Sequence, residues 1–440
     1  MKLKIHRGTR EIGGSCVEAW TDSSRIVVDL GLPLVNPDRS PFDSRPLETQ
    51  TPGELIRRGI LPAIDGLYKS ADGPPLVISH AHLDHFGLIN YIADGLPVCL
   101  GKATHKLIDL SRIFSGRGAE ISNPHYFASS EPFLLGDLEI TPFLMDHSAF
   151  DAYAFLIKNG NQTVFYSGDF RGHGRKLNIL ERIRTGISRG IDLLLLEGTA
   201  IDRGERRFWT EGDLEEQFTE VFQASSGPCL VFASGQNVDR IVSIFRACLK
   251  SGRILAVDFY IANILEELSE FARLPHPSRE FSEALKVFFP FRLSSRIAYS
   301  DKGKVIFRFM DYKISREEID ACPGGFVMLV RPGTQDFLKP LKCLEGGTFI
   351  YSLWGGYRKD RRTGGFVDYL ISRGMVERVI HTSGHADRGA LRKLVEILDP
   401  GCIVPIHTFE GDSYGEVFPG RKILRAEDGE TISCPVVPGK

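Results

Sequence analysis

The chain has 440 residues, 42% hydrophobic and 25% charged, a globular composition that excludes a disordered, collagen-like or coiled-coil protein. Its length suits about two or three domains with full hydrophobic cores. With 54 basic and 56 acidic residues the formal net charge is −2, so a polyanion site, if present, must be a local patch.

In chain order, four short apolar runs read as buried strands bounded by turn signals: residues 25–29 (RIVVD), 75–79 (PLVIS), 163–167 (TVFYS) and 191–196 (IDLLLL). Each is followed directly by polar residues, the place where layered α/β folds keep their chemistry. From about residue 201 the pattern changes. Residues 211–222 have helical periodicity, 229–233 (CLVFA) read as a strand entering Ser234-Gly235-Gln236-Asn237 and a new helix, and 254–258, 305–309 and 326–330 read as further strands. Strands alternating with helices predict a parallel α/β unit. Residues 274–279 read as a surface loop inside it. The polar strand-end style returns at 381–385 (HTSGH) and 405–407 (PIH). We therefore expect a first domain over 1–200, an inserted α/β domain over 201–358, and a return segment of the first domain over 359–440.

The eight cysteines form no CxxC pair and read as reduced, mostly buried thiols of a cytoplasmic protein. No signal-peptide h-region opens the chain, and the longest strongly apolar runs fall far short of a membrane span. No membrane partner is expected.

The strongest chemical signal is residues 79–85, Ser-His-Ala-His-Leu-Asp-His. His80, His82, Asp84 and His85 can converge only if a tight loop turns into a helix, with His80 and His82 facing one point and Asp84 and His85 another. Imidazole nitrogen and carboxylate oxygen are a zinc ligand set with room left for water. Only 12 histidines occur in the chain, so three within six positions after a predicted strand are poorly explained by chance. His147 in MDHS and Asp169 in SGDF are each weak alone and gain weight from their order after this cluster.

At this point the sequence resembles the metallo-β-lactamase fold, an αββα sandwich, with His80, His82, Asp84 and His85 as its HxHxDH motif, His147 as the later histidine and Asp169 as the bridging aspartate. Asp29 matches the early aspartate that supports the loop without binding metal. The resemblance extends to the β-CASP nucleases, the RNA- and DNA-processing branch that includes ribonuclease J. Their additional motifs match Glu197 in LLLEGT, His385 in TSGHA and His407 in PIH, with the inserted α/β domain between the first and second. The resemblance implies two Zn²⁺, with Mn²⁺ as a substitute. His80, His82 and His147 would hold one ion and Asp84, His85 and His407 the other, with Asp169 between them. It implies His385 beside the scissile phosphate as proton donor or phosphate contact, Glu197 orienting a ligand or His385, and Asp84 and Asp169 as indispensable. It implies single-stranded RNA as substrate, ahead of DNA, because the third motif is usually histidine in RNA-directed members; a homodimer is compatible with it. His381, His6, His105, His125, His173 and His276 match no motif and read as structural.

Polyphosphate contacts are expected from Ser234, Gly235 and Asn237, whose loop opens a predicted helix with free N–H groups, and from Ser383 and Gly384. Arg171, Arg175, Lys176, Arg182, Arg184 and Arg189 form one basic run, and Arg358, Lys359, Arg361 and Arg362 another; a solvated face is the ordinary reading of both. Trp354 and Tyr357 are candidates for base stacking. The competing readings are a DNA-directed nuclease of the same branch, a small-molecule metallo-hydrolase, a flavodiiron oxidoreductase, which would carry glutamate in place of His82, and a catalytically dead scaffold, which would have lost ligands.

Overall fold

The computed structural model describes residues 1–176, 178–300 and 302–434. Two β-sheets stack face to face. In spatial order the first contains Thr431–Ser433, Lys2–Arg7, Cys16–Trp20, Arg25–Val28, Leu76–Val77, Val98–Leu100 and Pro124–Tyr126. The second contains Cys402–Ile406, Leu193–Glu197, Gln162–Tyr166, Ala152–Asn159, Leu138–Met145 and Phe133–Leu135. The run of leucines at 193–196 shows why these strands form. Leu193 and Leu195 enter the core between the sheets with Val28, Val77 and Phe155. Leu194 and Leu196 face the other way, against helices Ile179–Gly186 and Arg388–Leu398. A strand covered on both faces needs a continuous apolar run, and each fully buried leucine contributes about 1.5–3 kcal/mol. Helix Lys102–Ser115 covers the first sheet through Leu107 and Phe114. The result is the expected αββα sandwich.

Strand Leu193–Glu197 pairs in parallel with Cys402–Ile406, Leu193 opposite Cys402 and Glu197 opposite Ile406. Between these neighbours the chain builds a third, wholly parallel sheet in the order Leu285–Phe288, Ile254–Asp258, Phe326–Leu329, Cys229–Phe232, Thr348–Tyr351, Val376–Val379. This insert docks on the sandwich through Phe114, whose ring lies 5.5 Å from Phe259 and 5.1 Å from Tyr260, and through a 2.6 Å ion pair between Lys106 and Glu267.

Several local expectations need correction. Helix Arg361–Ser372 buries Phe366, Val367 and Leu370 against the third sheet, and Val376–Val379 is its edge strand. The insert therefore runs about twenty residues past the expected return at 359. Residues 305–309 are not a strand but part of the 3₁₀ segment Gly303–Tyr312. Their aromatic composition suits a strand, yet among the described residues the nearest sheet edge meets this stretch in a single bridge just beyond it, Val287 with Lys313, and packing overrides propensity. The helix expected after Ser234 begins at Val238, capped by Asn237, whose Oδ1 accepts from Arg240 N at 3.1 Å. The loop at 274–279 is half sunk, with Leu274, Pro275 and Pro277 buried.

Candidate metal centre

The chemistry-bearing loops all leave the same edge of the sandwich. Asp29, with a left-handed φ of 61° directly after Arg25–Val28, is their organiser. Its carboxylate accepts from Ser79 N, Ser79 Oγ, Tyr166 Oη and His85 Nδ1, each at 2.7 Å. A buried carboxylate with four donors fixes the loop that follows. His82 then stands at the N-cap position of the short helix Leu83–Phe86 with no side-chain cap, and this turn puts Asp84 and His85 in a different donor group from His80 and His82. A Cβ on Gly31 would lie 1.8 Å from the Asp84 carbonyl oxygen, so the close approach of these two loops demands glycine.

The donor atoms fall into interlocking groups, each within 4.8 Å: His80, His82 and His147; Asp84, His85, Asp169 and His407; His147, Asp169 and His385; and Glu197, His385 and His407. His85 Nε2 is 3.2 Å from Asp169 Oδ2, His80 Nε2 is 3.9 Å and His147 Nε2 is 4.0 Å from it. His407 Nε2 is 3.2 Å from Asp84 Oδ2, and its Nδ1 is 3.7 Å from Asp169 Oδ1. Outer contacts fix the rings. His80 Nδ1 meets Ser79 Oγ at 3.0 Å, His147 Nδ1 donates to the Gly384 carbonyl at 2.7 Å, and His407 Nδ1 meets Thr199 Oγ1 at 2.8 Å. For His80 and His147 such contacts select the tautomer that turns the opposite nitrogen toward the cluster; His407 Nε2 also accepts from Gly13 N at 3.1 Å.

That freedom is the test of fit. His80 Nε2, His85 Nε2, both oxygens of Asp169 and His385 Nδ1 are buried without a hydrogen bond. Leaving a carboxylate so costs several kcal/mol unless a cation compensates. Burial, reinforced by neighbouring imidazoles, pushes His80, His82 and His147 below the ordinary histidine range, which keeps them neutral and able to ligate. Burial opposes the charge on Asp84 and Asp169, but the surrounding histidines outweigh it and hold both well below the usual carboxylate range. Three neutral imidazoles beside ionised carboxylates suit divalent metal, whereas at His85 burial opposes the charge but Asp169 and Asp29 raise it.

Glu197 and His407 end paired strands, so the register itself sets them side by side. Glu197 Oε2 accepts from Thr199 N at 2.9 Å and its Oε1 from Ala386 N at 3.3 Å, and Oε1 lies 3.6 Å from His385 Nδ1. The His385 side chain is 22% exposed. Burial opposes its protonation, yet Glu197 and Asp169 raise it above the ordinary histidine value. Ser383 and Gly384 turn their carbonyls inward, to His173 Nε2 at 2.8 Å and to His147 Nδ1. His173 thus supports the His385 loop.

The first basic run is not one solvated face. Arg182, Arg184 and Arg189 are exposed, but Arg171 is 2% exposed. It contacts Asp146 at 3.3 Å, Glu211 at 3.2 Å and Asp239 at 2.6 Å, and donates to the Ser383 carbonyl at 3.5 Å. Arg240 grips Glu211 from the other side at 3.1 Å and donates to Ser352 Oγ at 2.6 Å. Although burial opposes it, these two guanidinium groups lower the Glu211 carboxyl to about 2. The network ties the loops of His147, Asp169 and His385 to the insert. Arg171, Glu211, Arg240 and Thr199 were not singled out by sequence as parts of the site; the only hint is that Arg171 lies two residues beyond Asp169.

A cleft of about 1010 Å³ runs between the sandwich and the insert, from Ala81 and Leu83 beside the metal loop to Ser234, Gly235 and Gln236. Asn237 is not on its wall. Arg117, Arg292, Arg296, Arg331, Lys339 and Arg362 make it strongly basic. Trp354 and Tyr357 are half exposed, at 52% and 53%, with rings 5.4 Å apart; neither is a core residue.

Residues 67–226 match the family described as "Beta-lactamase superfamily domain", and residues 372–413 match "Zn-dependent metallo-hydrolase RNA specificity domain". The first match covers the metal loop of the sandwich, and the second covers the segment that carries His385 and His407. Ribonuclease J of Sinorhizobium meliloti is 22% identical over 344 residues, 76% of this chain and 57% of that protein. Ribonuclease J of Helicobacter pylori is 22% identical over 464 aligned residues, 98% and 60% of the two chains. An RNase J-like protein of Methanocaldococcus jannaschii is 25% identical over 277 residues, 59% and 57%. The chain is similar to these ribonuclease J and RNase J-like proteins, and it spans about three-fifths of their length. A crystal structure of a protein of unknown function from Enterococcus faecalis shares the fold, with a TM-score of 0.78 and 22% identity over 98% of this chain and 99% of that one.

Proposed function

We propose that the protein hydrolyses phosphodiester bonds of single-stranded RNA using two divalent cations, zinc or manganese. The observation that carries this reading is the convergence of unpartnered buried ligand atoms where a long basic cleft reaches the metal loop. His80, His82 and His147 would hold one ion, Asp84, His85 and His407 the other, and Asp169 would lie between them. When bound, a metal pair lowers the pKa of a water to roughly 7 and offsets charge on the attacking and leaving oxygens. The basic wall would neutralise the phosphate backbone, and Ser234 and Gly235 would meet it through the insert. His385, held by Glu197, would give its proton to the leaving oxygen, so that the downstream product carries a 5′-phosphate. The names of the relatives, and the RNA specificity described for the family matching residues 372–413, support RNA over DNA. Among the described residues no helix is long and apolar enough to cross a membrane, and we place the protein in the cytoplasm, where its free cysteines would stay reduced.

The test is cleavage of matched RNA and DNA strands, each with a 5′-monophosphate and a 3′ label, in zinc or manganese. RNA should be cut far faster, and the product ladder separates stepwise 5′ removal from internal cutting. Preference for DNA would overturn the RNA assignment, and no cleavage of either by metal-loaded protein would overturn the nuclease reading. His385→Ala should slow RNA cleavage about 10²- to 10⁴-fold, as for loss of a general acid, with metal content near wild type. Loss of metal instead would make His385 a ligand.

A further inference from the structure

A second cleft, of about 580 Å³, opens on the sandwich itself, among residues that include Arg7, Arg10, Arg39, Arg58, Phe42 and Phe409. It shares no lining residue with the cleft against the insert. The metal loop stands between the two. Leu83 and Phe86 of the short helix line the first cleft, whereas Asp84 backs onto Gly13 and Leu34, where a Cβ on Gly13 would sit 3.1 Å from Asp84 Cβ. The second cleft begins just behind that wall, with Arg10, Glu11, Pro33 and Val35. His407 is wired to the same wall, its N–H donating to the Gly8 carbonyl at 2.7 Å and its Nε2 accepting from Gly13 N at 3.1 Å. Phe409 lies two residues beyond His407.

The lining suits a single nucleic-acid strand. Its two carboxylates are already engaged, Glu11 with Arg7 at 3.3 Å and Asp428 with Thr9 N at 3.0 Å and Thr9 Oγ1 at 2.8 Å. Arg7 also donates to the Gly59 carbonyl, and Arg10 pairs with Glu427. Arg39 and Arg58 are exposed, and neither forms an ion pair among the described residues. Arg39 is held in the left-handed region at φ 64°, a conformation that costs about 1–2 kcal/mol for a residue with a Cβ. Its N–H donates to the Asn36 carbonyl at 2.8 Å, and Asn36 Nδ2 clamps the same turn on Ser40 Oγ at 2.9 Å. So placed, its guanidinium lies 4.7 Å from the centre of the Phe409 ring. Cations alternating with aromatic faces bind backbone and bases without reading sequence.

A strand cut within its length continues on both sides of the scissile phosphate, and the cleft against the insert offers a path for one of them. We propose that the second cleft holds the other side of the substrate strand, with Arg39 and Arg58 contacting phosphates and Phe409 and Phe42 contacting bases. The inference rests on the RNA-hydrolase reading above.

The experiment compares wild type with Arg39→Ala/Arg58→Ala on a tetranucleotide and on 30-nucleotide RNAs extended at one end or the other. The double variant should raise KM about tenfold or more for RNA extended at one particular end, far beyond any change on the tetranucleotide. Binding of an uncleavable 2′-O-methyl 30-mer, followed by anisotropy, should lose about 0.7 of salt slope for each phosphate contact removed. Phe409→Ala gives a second variant that leaves the charges in place and should weaken the same long substrate. Equal effects on short and long RNA, or an unchanged salt slope in a variant that still cuts RNA, would overturn the second cleft. A wild type that cuts no RNA would instead overturn the hydrolase reading.

Discussion

Asp169→Asn should abolish RNA hydrolysis, lowering the rate by at least about three orders of magnitude, roughly 4 kcal/mol of transition-state stabilisation. Both of its oxygens are buried without a hydrogen bond, and the four rings of His80, His85, His147 and His385 point a nitrogen at Oδ2 within 4.0 Å. Asparagine matches the shape but replaces one negative oxygen with an amide that repels a cation. The fold should survive, because no donor of the sandwich depends on this side chain. Metal content by plasma emission and the cleavage rate are the two readouts. A variant that kept full rate and both metals would remove Asp169 from the mechanism.

Arg171→Ala should be among the most destabilising single changes in the molecule, by about 3–5 kcal/mol, the usual cost of orphaning partners of a buried charge. Asp146, Glu211 and Asp239 all lean on that guanidinium; without it Glu211 keeps Arg240, while Asp146 and Asp239 keep, among the described residues, only the backbone N–H groups of Gly174 and Arg175. Arg171→Lys should recover only part of the loss, since one ammonium cannot span three carboxylates and a carbonyl as the planar fork does. Urea unfolding of the two variants tests this. A shift below about 1 kcal/mol for the alanine variant would show that the network is not structural, since surface changes fall in that range.

What was legible in the sequence follows the distance over which information must travel. His80, His82, Asp84 and His85 lie within six positions and bend into the site through one turn, so their spacing alone shows the constellation. The alternating faces of Leu193–Glu197 are likewise local. Arg171 is the opposite case. In sequence it belongs to a basic run that suits solvent, and only the folding of Glu211 and Asp239 across it turns the side chain inward. Residues 305–309 failed for the same reason, since a free sheet edge is a property of the assembled insert and not of five residues. Ser234 was singled out as the residue that opens a helix, whereas Asn237, three positions on, does the capping.

The insert interrupts the sandwich between two strands that are immediate neighbours, Leu193–Glu197 and Cys402–Ile406. Of the proposed ligands, only His407 lies beyond that interruption. Closing so long a loop is entropically costly when it is flexible, and a chain under synthesis folds its earlier domains first. A folded insert holds its two ends close together, which lowers the cost of placing Cys402–Ile406 beside Glu197 and carrying His407 into the site. The metal cluster is thus incomplete until the strand beyond the insert has been made and has paired.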